Sequence, residues 1–220
     1  MKRFLMVGLV LAVLLAFVLL LGLIWGVWHW VTWPPNSTEN HLVQNARAGD
    51  LAAVKRLVAA GADLEKPAKW RPWGGNAWID GRTPLTAAVE ARRLPVAEWL
   101  IQAGANVDGH DGYGQTPLHV AAQNGDFDMA ELLVRRGSDV RLMQKGSNYY
   151  YNALSNAARA ENGMPLVRLL LEHGALLDNP DHIRRHVIDA VARTNDQELI
   201  EMLARATPAK EKPRDPQNPL

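Results

Sequence analysis

The sequence predicts an all-α solenoid of repeated helix pairs, preceded by one transmembrane helix. Two observations predict the solenoid: the segments GADL, GANV, GSDV and GALL each end an apolar stretch of the same pattern, and the tripeptide TPL occurs twice, 33 residues apart. A third observation predicts the membrane helix. Residues 4–25 are an unbroken run of 22 apolar residues or glycines, and about 20 helical residues cross the hydrocarbon core of a bilayer.

The N-terminal apolar run is predicted to be an uncleaved signal anchor. A cleaved signal peptide has an apolar region of about 7–15 residues and a small-residue cleavage site, whereas this run is longer and leads into four tryptophans within residues 25–33. Lys2 and Arg3 precede the run, so the positive-inside rule places the N-terminus in the cytoplasm. We therefore expect a cytoplasmic segment over residues 1–3, a transmembrane helix over 4–28 and a linker over 29–39.

Composition narrows the class and the location. The chain of 220 residues has no cysteine, which excludes disulfides and thiolate metal sites. After residue 33 it carries 22 lysines or arginines and 23 acidic residues, so no excess of basic charge points to nucleic acid as a partner. An alanine-rich, cysteine-free chain with such an anchor is typical of bacteria. We expect a single-pass protein of the bacterial inner membrane whose repeat domain is periplasmic.

Each GADL-like segment is predicted to end a helix with one apolar face. A leucine stands four residues before each glycine, namely Leu57, Leu100, Leu133 and Leu170, and further apolar residues stand three and eight residues before it. This spacing predicts a helix that ends at a glycine in the left-handed conformation. The threonine of each TPL predicts a helix cap, with proline in the first turn. Each unit is therefore a short helix, a turn, a longer helix and an extended connection.

The segment TPLHVAAQNGDFDMAELLVRRGSDV, residues 116–140, closely resembles the ankyrin-repeat family, whose period is also 33 residues. The preceding repeat departs by having Arg92 where the family usually has glycine, and the following one has Asn152 for the TPL threonine and an extra residue between its helices. The first repeat lacks TPL and the last, 182–204, is more polar, as suits caps. The resemblance implies an ankyrin-repeat solenoid of about five repeats over 40–206, before a Pro-rich disordered tail at 207–220.

Two connections between repeats are longer than the period allows, and both are aromatic. Leu42 and Leu85 are 43 residues apart instead of 33, which places an insertion of about ten residues, KWRPWGGNAW, between the first two repeats. A three-residue extension with the sequence SNYYYN lies between the third and fourth repeats. The resemblance implies that such connections project as fingers, and that fingers and short helices form a concave face that binds protein partners.

Tryptophan, tyrosine and arginine are enriched at binding hot spots. The predicted partner-binding residues belong to the fingers or to positions that the resemblance places on the concave side, where they are expected to be exposed: Trp70, Arg71, Trp73, Trp78, Arg82, Tyr113, Gln115, Gln123, Asn124, Tyr149, Tyr150 and Arg159. Two alternatives stay open for the tryptophans. The loop either packs on its own domain, which is most expected for Trp78, or contacts a membrane.

The predicted function is that of a monomeric, membrane-anchored protein-binding module that neutralises or protects a periplasmic protein. The alternative is a structural protein that contacts lipid or cell wall through the Trp-rich loop. The sequence has no phosphate-binding Gly-rich loop, G-x-S-x-G or H-E-x-x-H motif, so we predict no enzymatic activity. His182 and His186 are four residues apart, but no third ligand accompanies them, and no metal or cofactor is predicted.

Overall fold

A computed structural model of the chain describes Gly22 and residues 38–68, 81–145, 151–177 and 180–207. The chain divides into two units, Met1–Thr38 and Glu39–Leu220. The described residues form consecutive pairs of helices, in the order α1 Thr38–Ala48, α2 Leu51–Ala59, α3 Pro84–Glu90, α4 Leu94–Gln102, α5 Pro117–Gln123, α6 Phe127–Arg135, α7 Ala153–Arg159, α8 Met164–Glu172, α9 Asp181–Ala192 and α10 Gln197–Ala206. One isolated antiparallel bridge joins Met143 and Asn152. The predicted all-α class is confirmed for this part of the chain.

The described part of the chain contains no helix with the length and hydropathy that a bilayer span requires. Its longest helix, α9, has 12 residues, which is about 18 Å of helix against the roughly 30 Å of hydrocarbon core. This finding contradicts the predicted location, a single-pass protein of the bacterial inner membrane with a periplasmic repeat domain, and that prediction is wrong on this criterion. The run over residues 4–28 lies outside the described residues except for Gly22, which is helical.

The short helices begin at hydrogen-bonded caps. The Thr83 hydroxyl accepts a hydrogen bond from the backbone N–H three residues later at 3.2 Å before α3. The Thr116 hydroxyl does the same at 3.4 Å before α5. Asn152 replaces threonine before α7, and its Oδ1 accepts from the equivalent N–H at 2.9 Å. The cap requires a short side chain with an acceptor, which asparagine supplies as well as threonine does. The predicted helix starts at the two TPL segments are confirmed.

The long helices end at the four predicted glycines. The backbone φ is +90° at Gly61, +99° at Gly104, +88° at Gly137 and +82° at Gly174. In each repeat the N–H after the glycine donates to the carbonyl of the leucine four residues before the glycine, at 2.9 to 3.1 Å. This bond satisfies a carbonyl that the helix leaves without a partner. The predicted left-handed helix ends are therefore confirmed.

The helix pairs stack in two layers. One layer contains α3, α5, α7 and α9, in contact in that order, and the other contains α2, α4, α6, α8 and α10. Between them lie Leu100, Leu133 and Leu170, none of which has exposed surface. Leu57 in the first repeat is only half-buried, since a neighbouring repeat covers it on one side. The leucines of the predicted repeat register therefore form the core.

The turn between the two helices of each repeat contains one residue with positive φ. That residue is Gly49 in the first repeat at +87° and Gly125 in the third at +62°. In the second repeat it is Arg92 at +56°, where the family usually has glycine. A side chain in this conformation costs on the order of 1 kcal/mol or more. The Arg92 guanidinium offsets part of the cost because it donates to the backbone carbonyl of Asn124 at 2.5 Å.

Candidate functional site

A groove of about 390 Å³ opens beside the first helices of the second and third repeats. We call it the first-helix groove, and its lining residues are Arg47, Arg82, Glu90, Tyr113, Gln115, Gln123 and Gln144. Arg47, Glu90 and Gln123 lie in the last turns of α1, α3 and α5, 43 and 33 residues apart. Arg159 has the same position in α7. Because the helices stack in register, these four side chains form one row.

Two arginines share the carboxylate of Glu90. Arg82 Nη2 lies 3.0 Å from Oε1, and Arg47 Nη2 lies 2.9 Å from Oε2. Arg82 also pairs through Nη1 with Asp111 Oδ2 at 2.5 Å, and the Asp111 side chain has no exposed surface. Burial lowers the pKa of Arg82, but its hydrogen bond and charge interaction with Asp111, followed by those with Glu90, raise the pKa above the ordinary value. The guanidinium is therefore charged and fixed in position.

Asp111 also shapes the connection that precedes α5. Its Oδ1 accepts hydrogen bonds from the backbone N–H groups of Tyr113 and Gln115, both at 2.9 Å. The Gly112 N–H donates to the Gly81 carbonyl at 2.6 Å. A Cβ atom added to either glycine would lie 2.9 Å from the Cα of the other. Only glycine at both positions lets the neighbouring connections approach this closely.

Tyr113 is held over the groove yet remains accessible. Its ring lies over the Arg82 guanidinium, 4.9 Å from the ring centroid, in the geometry of a cation–π contact. Its backbone carbonyl accepts a hydrogen bond from Gln144 Nε2 at 3.2 Å. The residue is nevertheless 48% exposed. An aromatic side chain is thus fixed at the surface before any partner arrives.

Side-chain amides continue the network along the groove. Arg82 Nη1 donates to Gln115 Oε1 at 2.8 Å, and Gln115 Nε2 donates to Gln123 Oε1 at 3.3 Å. Gln115 is buried and Gln123 is exposed. The half-buried Asn124 donates from Nδ2 to the Glu90 carbonyl at 3.3 Å. These bonds connect the second and third repeats through side chains.

At the fourth repeat the row ends in a second arginine–tyrosine pair. The guanidinium of Arg159 lies 5.3 Å from the ring centroid of Tyr151, and its Nη1 donates to the tyrosine hydroxyl at 2.9 Å. Arg159 is exposed. Among the described residues no carboxylate lies within ion-pair distance of it. Its charge is therefore presented to solvent.

The predicted site residues fall into three groups. Tyr113, Gln123 and Arg159 are exposed, as expected. The expectation of exposure is wrong for Arg82 and Gln115, which are largely buried because Asp111 and Glu90 draw the guanidinium into the stack. The remaining aromatic and cationic finger residues lie outside the described residues: Trp70, Arg71, Trp73, Trp78, Tyr149 and Tyr150.

The sequence predictions did not include Arg47, Glu90, Asp111 or Gln144. A signal for the first two was present, because they share the repeat register of Gln123 and Arg159, which were predicted. Asp111 has no equivalent carboxylate in the neighbouring repeats, where Trp78 stands one repeat earlier. Its role depends on contact with an arginine 29 residues away, which spacing within one repeat does not indicate.

His119 stabilises the start of α5 next to the groove. Its Nδ1 lies 2.7 Å from the Thr116 hydroxyl and accepts from the Thr116 N–H at 3.2 Å. The residue is 1% exposed. Burial of the ring, followed by the charge of His110, lowers the pKa of His119 to about 4. The imidazole is consequently neutral at pH 7 and serves the cap.

Comparison with known proteins agrees with this architecture. Residues 42–144 match the family model described as ankyrin repeats, in three copies, so the chain contains ankyrin repeats. It is 35% identical to inversin of Danio rerio over 109 residues, which are 50% of this chain and 10% of that protein. It is 30% identical over 146 residues to the ankyrin repeat and KH domain-containing protein mask-1 of Caenorhabditis elegans, covering 66% of this chain and 5% of the relative.

A further relative is the RelA-associated inhibitor of Mus musculus, 32% identical over 99 residues, which are 45% of this chain and 11% of that protein. The chain thus spans about a tenth or less of the length of these three relatives. All three are animal proteins, and they give no support to a bacterial, membrane-anchored subfamily. Ankyrin repeats are generally non-catalytic scaffolds for protein–protein interaction.

Proposed function

We propose that this chain, whose residues 42–144 are ankyrin repeats, binds a protein partner in the first-helix groove. The observation that carries the proposal is Tyr113, which is 48% exposed while its ring, backbone N–H and backbone carbonyl are each held by a neighbour. Binding costs free energy when side chains must be ordered. A tyrosine that is already ordered avoids most of that cost, and tyrosine is enriched among hot-spot residues.

The exposed residues of the row extend the binding surface beyond Tyr113. Gln123 and Arg159 follow it along the stack, and the ion pair between Arg47 and Glu90 borders the groove on the other side. The predicted finger residues Trp70, Arg71, Trp73, Trp78, Tyr149 and Tyr150 belong to the same proposal. They stand on the connections next to the second and fourth repeats, and their residue types suit hot spots.

Binding in the groove has two possible consequences for the partner, neutralisation or protection. Both follow from steric cover of the partner's bound surface. Activity of the captured partner, measured with and without the chain, distinguishes inhibition from protection against inactivation.

The test is affinity capture with the full chain, followed by titration of the captured protein against single variants with melting curves alongside. Tyr113→Ala should weaken binding by about 2 kcal/mol, roughly thirty-fold, with little change in melting temperature. The matched control is Gln102→Ala, because Gln102 is exposed at the end of α4 in the other helix layer. Capture alone supports nothing; equal affinity of wild type, Tyr113→Ala and Gln123→Ala would refute binding in the groove.

The finger residues are tested in the same titration. Trp70→Ala and Tyr149→Ala should each reduce affinity by tenfold or more and leave the unfolding midpoint nearly unchanged. If these residues pack on their own domain, stability falls instead, and affinity changes only as far as the domain unfolds.

A further inference from the structure

The hydrogen-bond network fixes which atoms the groove offers to a partner. A guanidinium has five N–H donors and no acceptor, so the atom of Gln115 that faces Arg82 at 2.8 Å must be its carbonyl oxygen. The other atom of that amide, Nε2, then faces Gln123 at 3.3 Å and must donate. The orientation of Gln115 therefore follows from the charge beside it.

The same argument determines the orientation of Gln123. Its oxygen accepts from Gln115, and its Nε2 therefore points away from that bond. Gln123 is exposed, and no atom of the described residues accepts a hydrogen bond from its Nε2. The chain of bonds from Arg82 through Gln115 thus ends in two N–H donors at the surface of the groove.

The acceptors of the groove are, in contrast, already engaged. Each oxygen of Glu90 is paired with a different arginine, and Asp111 accepts from two backbone N–H groups and from Arg82. A cationic group of a partner would have to compete with these ion pairs. A partner that supplies acceptors meets no such competition.

The charge beside Gln123 has the same preference. Arg159 occupies the equivalent position in the next repeat and is exposed, with the Tyr151 hydroxyl as its neighbour. Stacked helices pack about 8–10 Å apart, so a short segment of a partner can reach both side chains. A carboxylate placed there would accept from Gln123 Nε2 in the field of a guanidinium, and charge-assisted bonds of this kind are the stronger ones.

We infer that the partner presents an aspartate or glutamate side chain, in an extended acidic segment, to the Nε2 donors of Gln123 with Arg159 beside it. This inference rests on the proposed function and adds the chemistry of the partner. Tyr113 covers the flank of the segment, while Gln123 and Arg159 select the carboxylate. Recognition depends on Arg82, because its charge sets the polarity of the two amides.

The probe is a library of random twelve-residue peptides displayed on phage and selected against the full chain. Peptides whose binding Tyr113→Ala weakens occupy the groove, and these should share an aspartate or glutamate. A synthetic copy with that residue changed to asparagine or glutamine should bind at least tenfold more weakly. Enrichment of basic peptides, or of no peptide that depends on Tyr113, would overturn the inference.

Substitutions in the chain test the donor itself. Gln123→Glu keeps the shape of the side chain but replaces the donors by a carboxylate, so affinity for the acidic peptide should fall at least tenfold. Gln102→Glu makes the same chemical change on the exposed end of α4 and should change affinity less than twofold. Equal effects of the two variants would leave only a general effect of charge and would overturn the assignment of Gln123.

Gln115→Glu tests the polarity of the network. A glutamate there still accepts from Arg82, but its second oxygen requires a donor, so the amide of Gln123 must turn and present its oxygen to the groove. Affinity for the acidic peptide should fall, while the matched amide peptide, which can donate, should not lose affinity. If Tyr113→Ala weakens both peptides but Gln115→Glu leaves them equally bound, the groove binds and the inferred chemistry is wrong.

Discussion

The pH dependence of stability follows from the buried imidazole of His119. The pKa of this side chain is about 4 in the folded chain, against 6.5 for the ordinary group. The depressed pKa means that the unfolded chain binds the proton more readily. The neutral ring therefore contributes its full stabilisation above pH 6.5, and this contribution is lost as the pH falls from 6.5 towards 4.

The magnitude can be worked out from the two pKa values. Each pKa unit corresponds to about 1.4 kcal/mol, so the complete shift is worth roughly 3 kcal/mol. Between pH 7.5 and pH 5 the linkage relation gives a loss of about 2 kcal/mol. This interval avoids most carboxylate titration, which would obscure the effect at lower pH.

The assay is urea unfolding of wild type, His119→Gln and His186→Gln at pH 7.5 and pH 5, followed by circular dichroism. Wild type and His186→Gln should lose about 2 kcal/mol more than His119→Gln over this interval. His186 is exposed in α9, which makes it the matched control. The reasoning fails if His119→Gln loses as much stability as wild type, whatever its stability at pH 7.5.

Three further substitutions test the core, the turn and the groove by denaturant unfolding. Leu133→Ala removes a side chain with no exposed surface and should cost roughly 2–5 kcal/mol; a midpoint within error of wild type would contradict the repeat register. Arg92→Gly relieves the positive φ and should stabilise by up to about 1 kcal/mol, whereas Gly125→Ala should destabilise, since its Cβ would lie 2.7 Å from the Glu161 carbonyl oxygen; opposite signs would refute the account of the turn. Asp111→Asn leaves the Arg82 guanidinium with one carboxylate fewer and should cost on the order of 3 kcal/mol, and an exposed control, Asp128→Asn, should cost less than about 0.5 kcal/mol.

Much of the fold could be predicted because its determinants are local. A glycine four residues after a leucine ends a helix in each repeat, and a threonine before Pro84 or Pro117 starts one. Each signal depends on residues within one helical turn, so the sequence contains it in full. Arg92 is the instructive exception: its positive φ was indicated only by its place in the repeat, and the structure supplies the compensating bond to the Asn124 carbonyl.

The candidate site could be predicted only in part. Tyr113, Gln123 and Arg159 are exposed because their repeat positions face away from the core, and periodicity shows this. The burial of Arg82 could not be read in the same way, because its two carboxylate partners lie 8 and 29 residues away and in different structural positions. Pairwise electrostatics between repeats depends on which side chains the stack brings together.

The sequence by itself determined the helix pairs, their period and the core leucines, since these follow from spacing along one chain. The tertiary structure alone decided that Arg47 and Arg82 share Glu90 and that Arg82 orients Gln115 and Gln123. Arg47 and Glu90 are 43 residues apart, across an insertion that hides their common register. Hydrogen-bond polarity passes from one side chain to the next only after stacking has set their distances, and for that reason no pattern of residues along the chain records it.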